Sequence, residues 1–173
     1  MSSNMSTRVT SKPPYSPISS QVSKTLSANN TTASVPLWRV TGTVLVTKLY
    51  GVVTTVLGAN HTAAHWRLND QTATVDITLN TGTTLSAAAA GTLIYKEGLA
   101  AAALVASTSA AGRVEEPGSA GTSSFTPFIA VKKSGANTDI EYRYSTTDAP
   151  TSGVIQFFIE YVPLSADGAL TAQ

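Results

Sequence analysis

The 173-residue chain contains no cysteine, which excludes disulfides, thiolate metal sites and cysteine nucleophiles. Charge is also scarce, since Asp, Glu, Lys and Arg make up only 12% of the residues. No apolar run is long enough to span a membrane, so we expect no membrane partner. We also expect no signal peptide, because no apolar segment follows the first Met. The scarcity of charge predicts a weakly charged surface, and the length of 173 residues is that of one domain.

Acidic residues are missing from the front of the chain. Asp70 is the first acidic residue, and six of the eleven basic residues precede it. Such an asymmetry would let the front of one copy attract the rear of another, although a chance distribution explains it equally well. Only three basic residues occur in the first 33 positions, which is too sparse for nucleic-acid binding.

Residues 1–33 carry fourteen Ser or Thr and three Pro, with no acidic residue and no sustained periodicity. This composition predicts an extended N-terminal arm that cannot stay ordered alone, because fixing each residue costs about 1 to 2 kcal/mol of backbone entropy. Four apolar side chains are spaced along the arm. We predict that they dock on a partner polypeptide: Tyr15, Ile18, Val22 and Leu26.

Residues 34–162 show the alternation of β-strands. The alternation groups apolar residues on single strand faces: Trp38, Val40, Val44 and Val46; Val75, Ile77 and Leu79, which are predicted to point inward; Ile140, Tyr142 and Tyr144; and Ile155, Phe157, Ile159 and Tyr161. The opposite row of the last segment is also mostly apolar, which is typical of a central strand. Gly42 suggests a bulge or a close backbone approach, and Gly51 a bend between two strands, so the segment from Val35 forms one long bent strand or two. The segments of residues 127–133 and 138–145, separated by the turn SGAN, are predicted to form a hairpin. We therefore predict an all-β fold, a single antiparallel β-sandwich or jelly-roll-like barrel.

Two regions are less regular. Residues 85–121 are rich in Ala, Gly and Ser and predict a short strand over 91–98 and otherwise loops, within which residues 99–107 could form one short helix. Residues 163–173 begin with Pro163, at which the chain is predicted to leave the sheet, and they are predicted to form a C-terminal surface tail.

The candidate catalytic groups have simpler structural explanations. His61 and His65 lie four apart, a spacing that suits zinc on a helix, but the acidic neighbour and a third ligand are missing. No serine lies in a nucleophile turn. Asp139 and Glu141 share an outer strand face, where solvated charges belong, and Glu160 lies on another strand. We therefore expect no enzyme activity, no cofactor, no metal and no small-molecule substrate.

Two segments carry a more specific resemblance. They are LWRVTGTVLVTKLYGVVTT (37–55), which contains Trp38, Thr41, Gly42 and Val44, and GVIQFFIEYVPLSADG (153–168), which ends in Pro163, Leu164, Ser165, Asp167 and Gly168. Both resemble segments of small β-rich virion proteins of tailed bacteriophages. The resemblance implies a capsid decoration protein on the virion surface, a homotrimer whose partner is the major capsid protein.

The first expectation is thus a protein that coats the outer head shell and stabilises it by bridging capsid subunits. The alternative is a tail or fibre component that binds host surface glycans. In that case Tyr142, Tyr144 and Tyr161 are the candidate contact residues.

Overall fold

The computed structural model describes residues 16–26, 31–58, 61–80, 85–96, 98, 105–106, 125–146 and 153–173. The strands are β1 (Ile18–Thr25), β2 (Thr32–Thr41), β3 (Thr43–Thr55), β4 (Thr62–Asn69), β5 (Thr74–Asp76), β6 (Leu93–Tyr95), β7 (Val105–Ala106), β8 (Phe128–Val131), β9 (Asp139–Ser145), β10 (Val154–Pro163) and β11 (Ala169–Ala172). Over these ranges there is no helix, and hence none that could cross a membrane.

The strands form two antiparallel sheets. Sheet A has the order β1-β10-β3-β6-β7, with β8 pairing with β3 beside β6, and sheet B has the order β11-β2-β9-β4-β5. The two sheets pack face to face around a shared apolar core. This arrangement confirms the predicted antiparallel β-sandwich.

The core consists of the inward rows of the long strands. Trp38 and Val40 on β2, and Val44 and Val46 on β3, are completely buried. The inward rows of β9 and β10 are buried, and they comprise Ile140, Tyr142, Tyr144, Ile155, Phe157 and Ile159. Burial of each such side chain contributes about 1.5 to 3 kcal/mol, so these rows fix both the sheet pairing and the register.

The chain crosses from sheet B to sheet A at Gly42, which has a φ of 52° between β2 and β3. Of the two alternatives at Gly51, a boundary between two strands is wrong, because β3 continues through Gly51, which pairs with Phe157 on one side and Ile94 on the other. The lack of a side chain at Gly51 instead allows residues of β10 to pack closely against the backbone of β3. A Cβ at Gly51 would lie 3.0 Å from Ile155 Cγ2 and 3.1 Å from Phe157 Cδ1.

Both ends of the described chain belong to the sheets, which moves the predicted domain boundaries. Residues 18–25, assigned to the arm, form the edge strand β1 and pair along their whole length with β10. Residues 169–172, assigned to a surface tail, form β11 and pair with β2. The sandwich therefore includes most of residues 16–26 and 163–173. The reason is that β10 and β2 each have an edge that would otherwise be unpaired, and β1 and β11 pair with these edges.

Two strand predictions are also corrected. The predicted hairpin does not form, because β8 pairs with β3 in sheet A whereas β9 pairs with β2 and β4 in sheet B. The predicted strand over 72–80 is limited to Thr74–Asp76, and only Ile77 of its apolar row is buried; Val75 and Leu79 are 63% and 45% exposed. The short strand near 91–98 is confirmed as β6. The possible helix near 99–107 lies almost wholly outside the described residues.

Candidate binding surface

The four residues predicted to dock on a partner have different environments. Leu26 is completely buried in the core, and Val22 packs against it. Leu26 therefore has no exposed surface to offer a partner in this fold, whereas Val22 is only half-buried and its docking on a partner stays a prediction. Ile18 is 43% exposed, so its contact with a partner stays a prediction. Tyr15 lies outside the described residues.

The tyrosines proposed for glycan contact are in the core. Tyr142, Tyr144 and Tyr161 are 0%, 1% and 4% exposed, so they cannot form an open groove. These tyrosines alternate along β9 and β10 with residues that point outward, so they lie on the inner faces of the two strands. The opposite sheet covers the inner face of a sandwich. This part of the glycan hypothesis is wrong.

The two histidines do not share a site. His61 is buried, its Nε2 lies 2.9 Å from the Tyr142 hydroxyl, and its ring stacks on Tyr144 with centroids 4.5 Å apart. His65 Nδ1 lies 2.8 Å from the carbonyl oxygen of Ala63. The described residues contain no cluster of three potential metal ligands. Burial lowers the pKa of His61 to about 4.

The carboxylates on the outer face of sheet B are buried and paired, which corrects the expectation that they are solvated. Arg67 Nε donates to Glu141 Oε2 and Asn69 Nδ2 donates to Glu141 Oε1, both at 2.9 Å. Arg39 makes a two-pronged contact with Asp139, at 2.7 and 3.0 Å. Asp139 and Glu141 are 7% and 4% exposed. Their oxygens are occupied by structural partners, so a role as general acid or base is not favoured.

An aromatic row lies on the outer face of sheet A. Tyr50 on β3 is in register with Phe158 on β10 and with Tyr95 on β6. The rings of Tyr50 and Phe158 stack with centroids 4.9 Å apart and planes 11° apart. All three side chains are half-buried and alternate with core residues, so they point away from the opposite sheet.

A pocket of about 330 Å³ opens beside this row, and we call it the aromatic pocket. It forms where sheet A has a gap: β3 pairs with β8 over Thr43–Val46 and with β6 over Tyr50–Val52, and neither register includes residues 47–49. The lining consists of side chains from three separate parts of the chain: Thr47, Lys48, Leu49 and Tyr50; Leu93, Tyr95 and Lys96; and Phe125.

A second depression of about 260 Å³, the edge groove, lies where the two sheets end. One wall is β5, the last strand of sheet B, and the other is β8 of sheet A. The apolar side chains at its rim are exposed, Val75 by 63% and Ile129 by 58%. Val131, two residues beyond Ile129 on the same face of β8, is 54% exposed.

The opposite side of the sandwich is closed by side-chain contacts. Lys24 on β1 donates to the backbone oxygen of Gln173 at 2.6 Å, just beyond β11. The Trp38 indole on β2 donates to the Ser20 hydroxyl at 3.0 Å. The edge groove, in contrast, leaves the apolar side chains of Val75 and Ile129 exposed at its rim.

Lys96 lines both depressions and is only 2% exposed. Its Nζ donates to the carbonyl oxygen of Gly98 and lies 5.4 Å from the centroid of the Phe125 ring. Burial lowers the pKa of Lys96. No sequence pattern marked this residue, because its surroundings come from segments far apart in the chain. Val75 was missed for a different reason: its strand alternation predicted an inward position.

The segments that carry the virion-protein resemblance meet at the Gly42 corner. The Thr43 N–H donates to Ser165 Oγ at 2.8 Å, and the Thr41 hydroxyl donates to the Asp167 carbonyl oxygen at 2.9 Å. The Leu164 N–H donates to the Thr43 carbonyl oxygen at 2.9 Å. These motifs join the end of β10 to the crossing between the sheets, so their role in this chain is structural. Comparison of the chain with family models, curated proteins and solved structures gives no match.

Proposed function

We propose that this chain is a non-enzymatic capsid decoration protein of a tailed bacteriophage. It binds the major capsid protein at the outer surface of the head and acts there as a homotrimer. The two motif segments support this proposal by resemblance, and the edge groove is the observation that carries it. A groove with exposed apolar walls at a sheet edge is a typical feature of a protein interaction site.

The edge groove supplies what a bridging protein needs. A partner that covers the groove would bury the exposed side chains of Val75 and Ile129, and that of Val131 beside them. Each Å² of apolar surface removed from water in this way contributes about 25 cal/mol to binding. Within the described chain β8 pairs only with β3, so its other edge can accept an extended segment of a partner. Neither β5 nor β8 carries a Lys or Arg, a common protection of free edges against pairing.

The proposed mechanism is thermodynamic. A protein that binds only the assembled shell lowers the free energy of that shell by its own binding free energy, so it opposes disassembly. Such a role needs no reactive group, which agrees with the full pairing of Asp139 and Glu141.

The test is binding of the full-length protein to undecorated heads of the source phage, measured by co-sedimentation. Replacement Ile129→Asp should weaken binding about tenfold or more, because an unpaired carboxylate in an apolar contact costs at least about 1.4 kcal/mol. Val56→Asp is the matched control, since Val56 is 52% exposed and lies outside both depressions. Failure of the wild-type protein to sediment with heads, or equal loss in both variants, would contradict the proposal.

A second candidate function is glycan binding by a tail or fibre component, and the aromatic row favours it. The faces of sugar rings pack well on half-buried aromatic side chains, and Tyr50, Tyr95 and Phe125 border a pocket of suitable size. A glycan array separates the candidates, because a decoration protein binds heads and no particular sugar. Loss of an array signal in Tyr50→Ala would locate the site.

A further inference from the structure

The aromatic pocket contains a buried positive charge for which none of the described residues provides a carboxylate partner. Lys96 follows β6, and its ammonium group contacts the Gly98 carbonyl oxygen and the face of the Phe125 ring. Across the part of the chain that the structure describes, no carboxylate lies within ion-pair distance of Lys96. An ammonium group has three donors, and a single carbonyl uses only one of them.

The neighbouring lysine behaves differently. Lys48 is also in the pocket wall, but its Nζ lies 3.1 Å from Glu160 Oε2 and its side chain is 61% exposed. Glu160 also accepts a hydrogen bond from the Thr47 hydroxyl at 3.1 Å. The carboxylate at this end of the pocket is therefore already occupied, and among the residues that the structure describes no other carboxylate matches the charge of Lys96.

Burial of a charge without an opposite charge is costly, so Lys96 favours any anion that can reach it. Burial lowers the pKa of Lys96 for the same reason, since water no longer stabilises the ammonium form. A ligand carboxylate would restore that stabilisation and would form a charge-assisted hydrogen bond.

The remaining walls favour a ring attached to that carboxylate. Tyr50 and Tyr95 lie side by side on adjacent strands, and Leu49 and Leu93 add apolar surface. The volume of about 330 Å³ is at the lower end of the range of about 300–1,000 Å³ found for small-molecule sites. This size suits one or two sugar rings.

We propose that the aromatic pocket binds an acidic saccharide, whose carboxylate contacts Lys96 and whose ring packs on Tyr50 and Tyr95. The inference deepens the second candidate function and rests on it, and it is independent of shell binding by the edge groove. Hydroxyls of the sugar can contact Thr47 at the rim.

The test is a titration of the full-length protein followed by amide NMR. The acidic probes are N-acetylneuraminic acid and glucuronic acid, the neutral probes are N-acetylglucosamine and glucose, and benzoate represents a carboxylate without a sugar. We expect the acidic sugars to shift the amides of residues 47–50, 93–96 and 125, and to bind about tenfold or more tightly than the neutral sugars.

Variants then separate the charge from the pocket. Lys96→Met keeps the aliphatic stem and should abolish the preference for acidic sugars. Lys132→Met removes the same charge at an exposed position directly after β8 and should leave binding unchanged. Where Lys96→Met fails to fold, the map of amide shifts in the wild-type protein decides alone. Benzoate binding as tightly as the acidic sugars would overturn the saccharide assignment.

The two proposals fail differently. Equal binding of acidic and neutral sugars at the pocket would overturn the role of Lys96 and leave glycan binding intact. Absence of binding by every sugar on both the array and the titration would overturn glycan binding and this inference together.

Discussion

The Ser165 hydroxyl joins two distant parts of the chain: it accepts the Thr43 N–H at 2.8 Å and lies 2.8 Å from Asp167 Oδ1. Thr43 is the first residue of sheet A after the chain crosses at Gly42, whereas Ser165 and Asp167 lie in the turn between β10 and β11. The contact therefore fixes the corner between the sheets to the end of the central strand β10.

Gly42→Ala should destabilise the protein strongly. The φ of Gly42 is 52°, and an added Cβ would overlap Ser165 Oγ and Asp167 Oδ1. The left-handed backbone alone costs about 1 to 2 kcal/mol with a side chain, and rotation of Ser165 away from the new Cβ would break its hydrogen bond with Thr43, which adds about 1 kcal/mol. Urea unfolding measures the change in the free energy of unfolding.

Gly135→Ala separates these two causes. Gly135 has a φ of 74°, but a Cβ there would meet nothing within 4 Å, so only the backbone cost applies. We expect a loss of about 1 to 2 kcal/mol. Equal losses at positions 42 and 135 would show that the Ser165 and Asp167 contacts do not restrict the corner.

The stability of the protein should fall as the pH is lowered from about 6.5 to about 4. Burial lowers the pKa of His61 from its usual 6.5 to about 4. Between these values the unfolded chain binds a proton that the folded chain does not, so acidification favours unfolding. The loss should reach about 3 kcal/mol and then level off, because each pKa unit corresponds to about 1.4 kcal/mol.

His61→Phe identifies the group responsible, because it keeps an aromatic ring beside Tyr144 and cannot titrate. Urea unfolding between pH 7 and pH 4 should show a smaller dependence on pH in this variant. Asp70 acts outside this window: hydrogen bonds from Thr72 and Ala73 hold its pKa below the usual 3.8, so its contribution is lost only at lower pH. An unchanged pH dependence in His61→Phe would exclude His61 as the cause.

The outer face of sheet B contains an ion pair whose loss should be costly. Arg67 and Glu141 are 8% and 4% exposed, and Arg67 also donates to Ser34 Oγ at 2.8 Å. Arg67→Met leaves the Glu141 carboxylate buried without its main partner, which should reduce the free energy of unfolding by about 3 to 5 kcal/mol. Lys48→Met, which breaks an exposed pair with Glu160, should cost less than about 1 kcal/mol. Similar losses would contradict the distinction between them.

The sequence was sufficient to predict the fold class and much of the core, because a buried strand face leaves a period of two. The alternation in β9 puts Tyr142 and Tyr144 on the face opposite its charged residues, and both are buried. The pairing of strands was harder to predict. β8 and β9 are joined by a short turn but enter different sheets, because the long-range partners β3 and β2 outweigh the local connection.

Glycine shows the limit of local signals. Gly42 and Gly51 both interrupt a run of β-forming residues, yet one is the crossing between the sheets and the other lies within β3 under the ring of Phe157. The aromatic pocket was equally hidden, since Lys96 and Phe125 become neighbours of Tyr50 only after sheet A has formed. Such features depend on tertiary contacts that the sequence pattern does not contain.

The boundary of the N-terminal arm provides the last prediction. Leu26→Ala should reduce the free energy of unfolding by about 2 to 5 kcal/mol, because the side chain is completely buried in the core. Ile18→Ala, in the same segment but 43% exposed, should change it by less than about 0.5 kcal/mol. Calorimetric or urea unfolding of the two variants measures the difference. A negligible effect of Leu26→Ala would mean that residues 18–26 are not part of the isolated domain and would support an arm of residues 1–33. The expected loss would limit any free arm to the residues before β1.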